Sequence, residues 1–62
     1  MYYVTQTDNG LMVHEMSGSP WWPITCSPGE IRNWNLSGNV LVISYTDGRT
    51  DVLDVDNRSK IR

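Results

Sequence analysis

Short runs rich in apolar, aromatic and β-branched residues recur along this chain, separated by polar, glycine-containing dipeptides. The pattern predicts strands over 2–7, 11–16, 31–36, 40–46 and 49–55. Asn9-Gly10 and Asp47-Gly48 tolerate the positive φ angles of a tight hairpin turn, and Gly38-Asn39 is a third, looser candidate. Helix signals are nearly absent. In "SPGEIRNW", Ser27 could cap and Pro28 occupy a first helical position, but Gly29 and the residues after it allow one turn at most. Between the second and third strands lies a proline-rich loop, "MSGSPWWPITCSPGE", with a short extended piece at 24–26. No segment repeats another. The expected fold is all-β: a five-stranded antiparallel meander in one domain (1–62), curled into an open sheet or an SH3-like small barrel, with a short basic tail over 57–62.

A two-residue loop at Asp47-Gly48 would set Ile43 opposite Val52, Tyr45 opposite Thr50 and Leu41 opposite Asp54. On the other face Val42 would meet Leu53, and Val40 would meet Val55. Each face of this hairpin then carries an apolar patch, whereas a sheet solvated on one side would not. With a two-residue loop at Gly38-Asn39, Trp34 and Leu36 join Leu41, Ile43 and Tyr45. One face is left in need of a cover, which the N-terminal hairpin, the tryptophan loop or a second molecule would have to supply.

Length sharpens that need. A chain of 62 residues buries only about 60% of its unfolded surface and is marginal alone. Small scaffolds usually add disulfides, a metal or self-association. Cys26 is the sole cysteine, so no intrachain disulfide forms, and a free thiol suits a reducing compartment. Cys26 and His14 are too few soft ligands for structural zinc. No apolar run reaches the roughly 20 residues of a membrane span, and the N-terminus lacks a signal peptide's basic start and apolar stretch. The expectation is a soluble, cytoplasmic protein translated from a small reading frame beginning at Met1.

Catalytic chemistry finds little support. A Cys26–His14 nucleophile pair would need proximity and a third group to orient the base, and "PITCSP" holds nothing that lowers a thiol pKa. Asp47, Asp51, Asp54 and Asp56 crowd one segment but lack the spacing and terminal glutamate of an EF-hand loop. No phosphate-binding glycine loop is present. The expectation is a non-enzymatic protein with no cofactor and no metal.

The aromatic residues are more informative. Three tryptophans and three tyrosines, with no phenylalanine, all carry a polar handle and suit surfaces that are half apolar and half wet. Adjacent residues of an extended segment point to opposite sides, so Trp21 and Trp22 should not both reach one core. The expected function is protein interaction or assembly, with self-association favoured and a dimer the simplest product. Trp21, Trp22, Trp34 and Tyr45 are the candidate anchors. The alternative is a small barrel that stacks single-stranded nucleic acid on these rings, with Arg32, Arg49, Arg58, Lys60 and Arg62 on phosphates. A net charge of −2 argues against it.

Overall fold

The computed structural model describes residues 1–27 and 29–62 and is all-β. Seven strands run in the order β1 (Tyr2–Thr7), β2 (Gly10–Glu15), β3 (Pro20–Thr25), β4 (Ile31–Ser37), β5 (Val40–Tyr45), β6 (Thr50–Asp54) and β7 (Ser59–Lys60). They form two antiparallel sheets, β1-β2-β3 and β4-β5-β6-β7, joined by the segment after β3. Leu11 and Val13 from the first sheet meet Leu41, Ile43, Tyr45, Leu53 and Val55 from the second in one core. The single five-stranded meander and the closed barrel are therefore corrected to an open, two-sheet arrangement. The helical turn expected to start at Pro28 falls on a residue outside the described ones, and no described residue is helical. No helix is long and apolar enough to cross a membrane.

Two strands beyond the expected five account for the difference. β3 is the tryptophan segment itself, which its prolines disguise as a loop. Proline removes a ladder donor and is tolerated only on an edge strand with its nitrogen turned outward. Glu15 N donates to Ser19 O at 2.9 Å and Cys26 N donates to Asn9 O at 2.8 Å. Those two bonded pairs set the alternation along β3, and it turns Pro20 and Pro23 away from β2. The basic tail supplies the other strand, with Leu53 opposite Lys60, Asp54 opposite Ser59 and a 3.0 Å ion pair from Lys60 to Asp51.

The register of the β5–β6 hairpin is also corrected. Gly48 has φ +92 as expected, but the loop holds three residues, Thr46 to Gly48. Tyr45 N donates to Arg49 O at 2.9 Å to close it, and Gly48 N donates to Tyr45 O at 3.1 Å. A turn followed by a left-handed glycine is the commonest three-residue hairpin connection. Val42 consequently faces Val52 rather than Leu53, and Leu41 faces Leu53. One extra loop residue moves every β6 side chain to the other face. It places Leu41, Ile43, Tyr45, Leu53 and Val55 together inside and leaves Val40, Val42 and Val52 outside. The β4–β5 loop at Gly38-Asn39 does hold two residues, with Leu36 opposite Leu41 and Trp34 opposite Ile43. In the first hairpin the loop is Asp8-Asn9, and Gly10 is the first residue of β2 rather than part of the turn.

The two halves of the chain repeat each other, contrary to the sequence reading. β2 and β5 are displaced by 30 positions, from 10 to 40 at one end and from 15 to 45 at the other. Both are followed by a three-residue loop closed the same way, Glu15 N to Ser19 O and Tyr45 N to Arg49 O. Leu11 and Val13 are buried where Leu41 and Ile43 are buried. Each half contains a three-stranded meander with one apolar face, the second extended by β7, and the fold joins the two faces.

Candidate functional site

The tryptophan pair is positioned by a break in the β2–β3 ladder. Val13 faces Trp22, but His14 faces Pro20, so Trp21 is an extra residue on β3. Such a bulge sets two residues against one and interrupts the alternation of sides. Both indoles accordingly pack against the core, half-buried. The expectation that one of them must point away from it is corrected by this inserted residue.

Trp21 also ties the sheets together. Its Nε1 donates to Val55 O at 2.8 Å, its ring lies 5.7 Å from that of Tyr2, and the Arg58 guanidinium sits 4.5 Å from its centroid. Arg58 adopts φ +50, a left-handed conformation that costs a non-glycine residue roughly 1 kcal/mol or more. Asp56 completes the cluster, accepting from the Tyr2 hydroxyl at 2.5 Å and from Asn39 Nδ2 at 2.9 Å. The hydrogen bond to Asp56, then desolvation, push the Tyr2 hydroxyl pKa up to about 12. Trp21→Phe keeps most of the ring and removes the indole donor, leaving Val55 O with only the longer bond, 3.3 Å, from Arg58 N. We expect a loss of about 0.5–1.5 kcal/mol in urea unfolding. A variant as stable as the parent would mean the indole bond contributes nothing.

Tyr45 is buried, and its hydroxyl donates to Asp51 Oδ2 at 2.8 Å. Burial first, and then that bond, push its pKa up to about 12. The same bond is the main cause holding Asp51 below the usual carboxylate range, with Lys60 assisting. Tyrosines of the unfolded chain ionise near pH ~10. Stability is therefore complete below that pH and is lost as the pH rises through the folded value near 12. At the acid end, Asp51 stabilises the fold above about pH 4, and this is lost as its carboxylate protonates. Tyr45→Phe should flatten both limbs of the stability profile, with the Tyr2 contribution remaining at the alkaline end. Parallel profiles for parent and variant, measured by urea unfolding from pH 3 to 11, would contradict this account.

Trp34 is half-buried and packs against the core opposite Ile43. All four anchors expected from the sequence thus lie in or against the core, and none is a fully exposed ring.

The remaining candidates are dispersed. Cys26 pairs with Asn9 and His14 with Pro20, at opposite ends of β2. Five residues at about 3.3 Å each separate those levels by about 16 Å. Burial, then Glu30, raise the thiol pKa, which suppresses its nucleophilic form. His14 stacks on Tyr3 at 4.7 Å, with Nε2 3.0 Å from the Thr5 hydroxyl. The aspartates serve separate local roles. Asp47 holds Arg49, Asp51 holds Tyr45 and Lys60, Asp54 holds Asn57, and Asp56 holds Tyr2 and Asn39. Among the described residues no group of three or more potential ligands could hold a metal ion. Of the five cations, Arg49 is paired with Glu30 and Asp47, Lys60 with Asp51, and Arg58 lies on Trp21.

What the fold leaves open is backbone. Its sheets have four edges. β3 is guarded by the outward Pro20 and Pro23, and β7 is two residues long. β1 and β4 are six and seven residues long and contain no proline. The pair closing onto β2 is visible where Met16 N donates to Met1 O at 3.1 Å, so odd-numbered β1 residues bond to β2 and even-numbered ones face outward. Nothing in the sequence pattern distinguishes these edges from the others, because an edge is defined only once the strand order is known. The site and fold together define a small two-sheet β protein with a cross-sheet tryptophan pin. No protein-family model matches the chain, and no curated protein or solved structure shows significant similarity to it.

Proposed function

We propose that this protein is a non-enzymatic assembly module that acts by adding strands to its open sheet edges, joining copies of itself or a protein partner. The observation that carries this reading is the contrast between edges. Prolines at the outward positions guard β3, and β7 is minimal, whereas β1 and β4 are longer, proline-free strands with unpaired outward backbone. Soluble proteins usually blunt such edges with proline, charge or bulges, because an unguarded one is a template for another chain. The outer face of the four-stranded sheet adds half-exposed Val40, Val42 and Val52 beside Ile61, which is 54% exposed. Single-stranded nucleic acid is the less supported partner, since three of the five cations are already engaged within the fold.

Sedimentation equilibrium over a wide concentration range tests this reading. Reversible mass increase that is nearly indifferent to salt supports it. A 7.1 kDa species throughout, combined with oligonucleotide binding that falls steeply with salt, would replace it with the nucleic-acid alternative.

A further inference from the structure

The two open edges are not equivalent. β4 departs from regular pairing between Ile31 and Asn33, and Arg32 lies in the irregular stretch. Bulges and charges are both devices that discourage edge-to-edge pairing. β1 has neither. Its register with β2 is unbroken from Tyr2 to Thr7. Its sequence YYVTQT contains no charge, proline or glycine, and five of its six residues are aromatic or β-branched types that favour strands.

We propose that β1 is the self-association surface, and that a second copy of this chain pairs with it antiparallel about a two-fold axis at Val4. This inference rests on the assembly reading and names its surface. The register follows from the alternation. The outward backbone groups belong to Tyr2, Val4 and Gln6, and no hydrogen bond within the described chain reaches them. An antiparallel bonded pair needs outward groups on both strands, so even-numbered residues must face even-numbered residues. The alignment that uses all of them sets Tyr2 of one copy opposite Gln6 of the other, and Val4 opposite Val4. Each pair exchanges both of its bonds.

The same alignment puts Tyr3, whose ring stacks on His14, opposite Thr5 on the outer face. On the inner face Val4, half-buried against the core, meets the Val4 of the other copy, and the half-buried Tyr2 meets its Gln6. The product is a continuous six-stranded sheet with β3 at both ends. Pro20 and Pro23 then terminate it, so the contact is closed and growth stops at the dimer.

Amide hydrogen exchange by NMR, combined with sedimentation of the intact chain and of Gln6→Pro, tests this assignment. Gln6 is exposed and its N–H takes no part in the β1–β2 ladder, so proline there removes an outward donor and no internal bond. We expect the parent to dimerise with the Val4 and Gln6 amides protected, and that protection to vanish on dilution. Gln6→Pro should weaken the dimer at least about tenfold while keeping the parent's tryptophan fluorescence. If Gln6→Pro fails to fold, the parent's exchange map alone decides. A parent dimer that protects Trp34 and Leu36 instead, or one that Gln6→Pro leaves intact, overturns the β1 assignment and leaves the assembly reading standing. A parent that stays monomeric at millimolar concentration overturns the β1 assignment and, with it, the self-association arm of the assembly reading.

Discussion

Gly10→Ala is expected to unfold this protein or bring it close to unfolding. Gly10 opens β2 with φ +142, and a Cβ there would lie 1.9 Å from the carbonyl oxygen of Ile24, 3.0 Å from its carbon and 3.1 Å from the Thr25 Cα. All three obstacles are backbone atoms of β3, so no rotamer change relieves the clash. β3 must move, and with it the tryptophan segment. A chain of 62 residues has a total stability on the order of 3–9 kcal/mol, from roughly 0.05–0.15 kcal/mol per residue. The methyl group should remove more than about 3 kcal/mol of it. Gly18→Ala is the control: φ is +100 but nothing lies within 4 Å, so only the backbone strain of roughly 1 kcal/mol is expected. Thermal unfolding followed by circular dichroism separates the two. If Gly10→Ala melts with Gly18→Ala, the close approach of β2 and β3 is not what makes glycine necessary at position 10.

The second large effect concerns the shared core. Leu41 is fully buried at the centre of the second sheet, in contact with a cluster that includes Leu11 and Val13 of the first. Leu41→Ala should cost about 2–5 kcal/mol, the lost transfer free energy plus the cavity left behind. Neither sheet has another apolar layer to fall back on. The loss should therefore appear in both, with amides of β2 and β5 exchanging at a common faster rate. Leu11→Ala, at the equivalent position of the other half, should produce the same joint loss. Retained protection in β2 after Leu41→Ala would show that the halves fold separately, contrary to a single core.

Much of the local structure is legible along the chain. Runs of strand-favouring residues between turn dipeptides mark β1, β2, β4, β5 and β6 to within a residue or two. The Gly38-Asn39 loop and the positive φ of Gly48 follow from the turn chemistry of glycine. The aromatic anchors are also visible as side chains needing both apolar contact and a polar partner. Trp21 and Tyr45 find such partners at Val55 O and Asp51. The 30-position repeat is not legible, because the halves share backbone geometry and burial while differing at most side chains. Leu11 matches Leu41 and Gly18 matches Gly48, but Trp21 and Trp22 have aspartate and valine 30 positions on.

What the sequence determined by itself is therefore local: where strands run, where glycine permits a reversal, and which residues cannot remain in water. Those preferences act within a few residues, through backbone sterics and the period of the strand. The tertiary structure decided everything that depends on one extra residue or on a distant neighbour. The third loop residue before Arg49 selects the core face of β6. The inserted Trp21 lets two adjacent indoles share one core, and the outward turn of Pro20 and Pro23 makes a strand of what reads as a loop. Lys60 pairs opposite Leu53, where its ammonium meets Asp51 at 3.0 Å. In each case the deciding contribution is a hydrogen bond or burial against a strand far along the chain, and no local pattern carries that information.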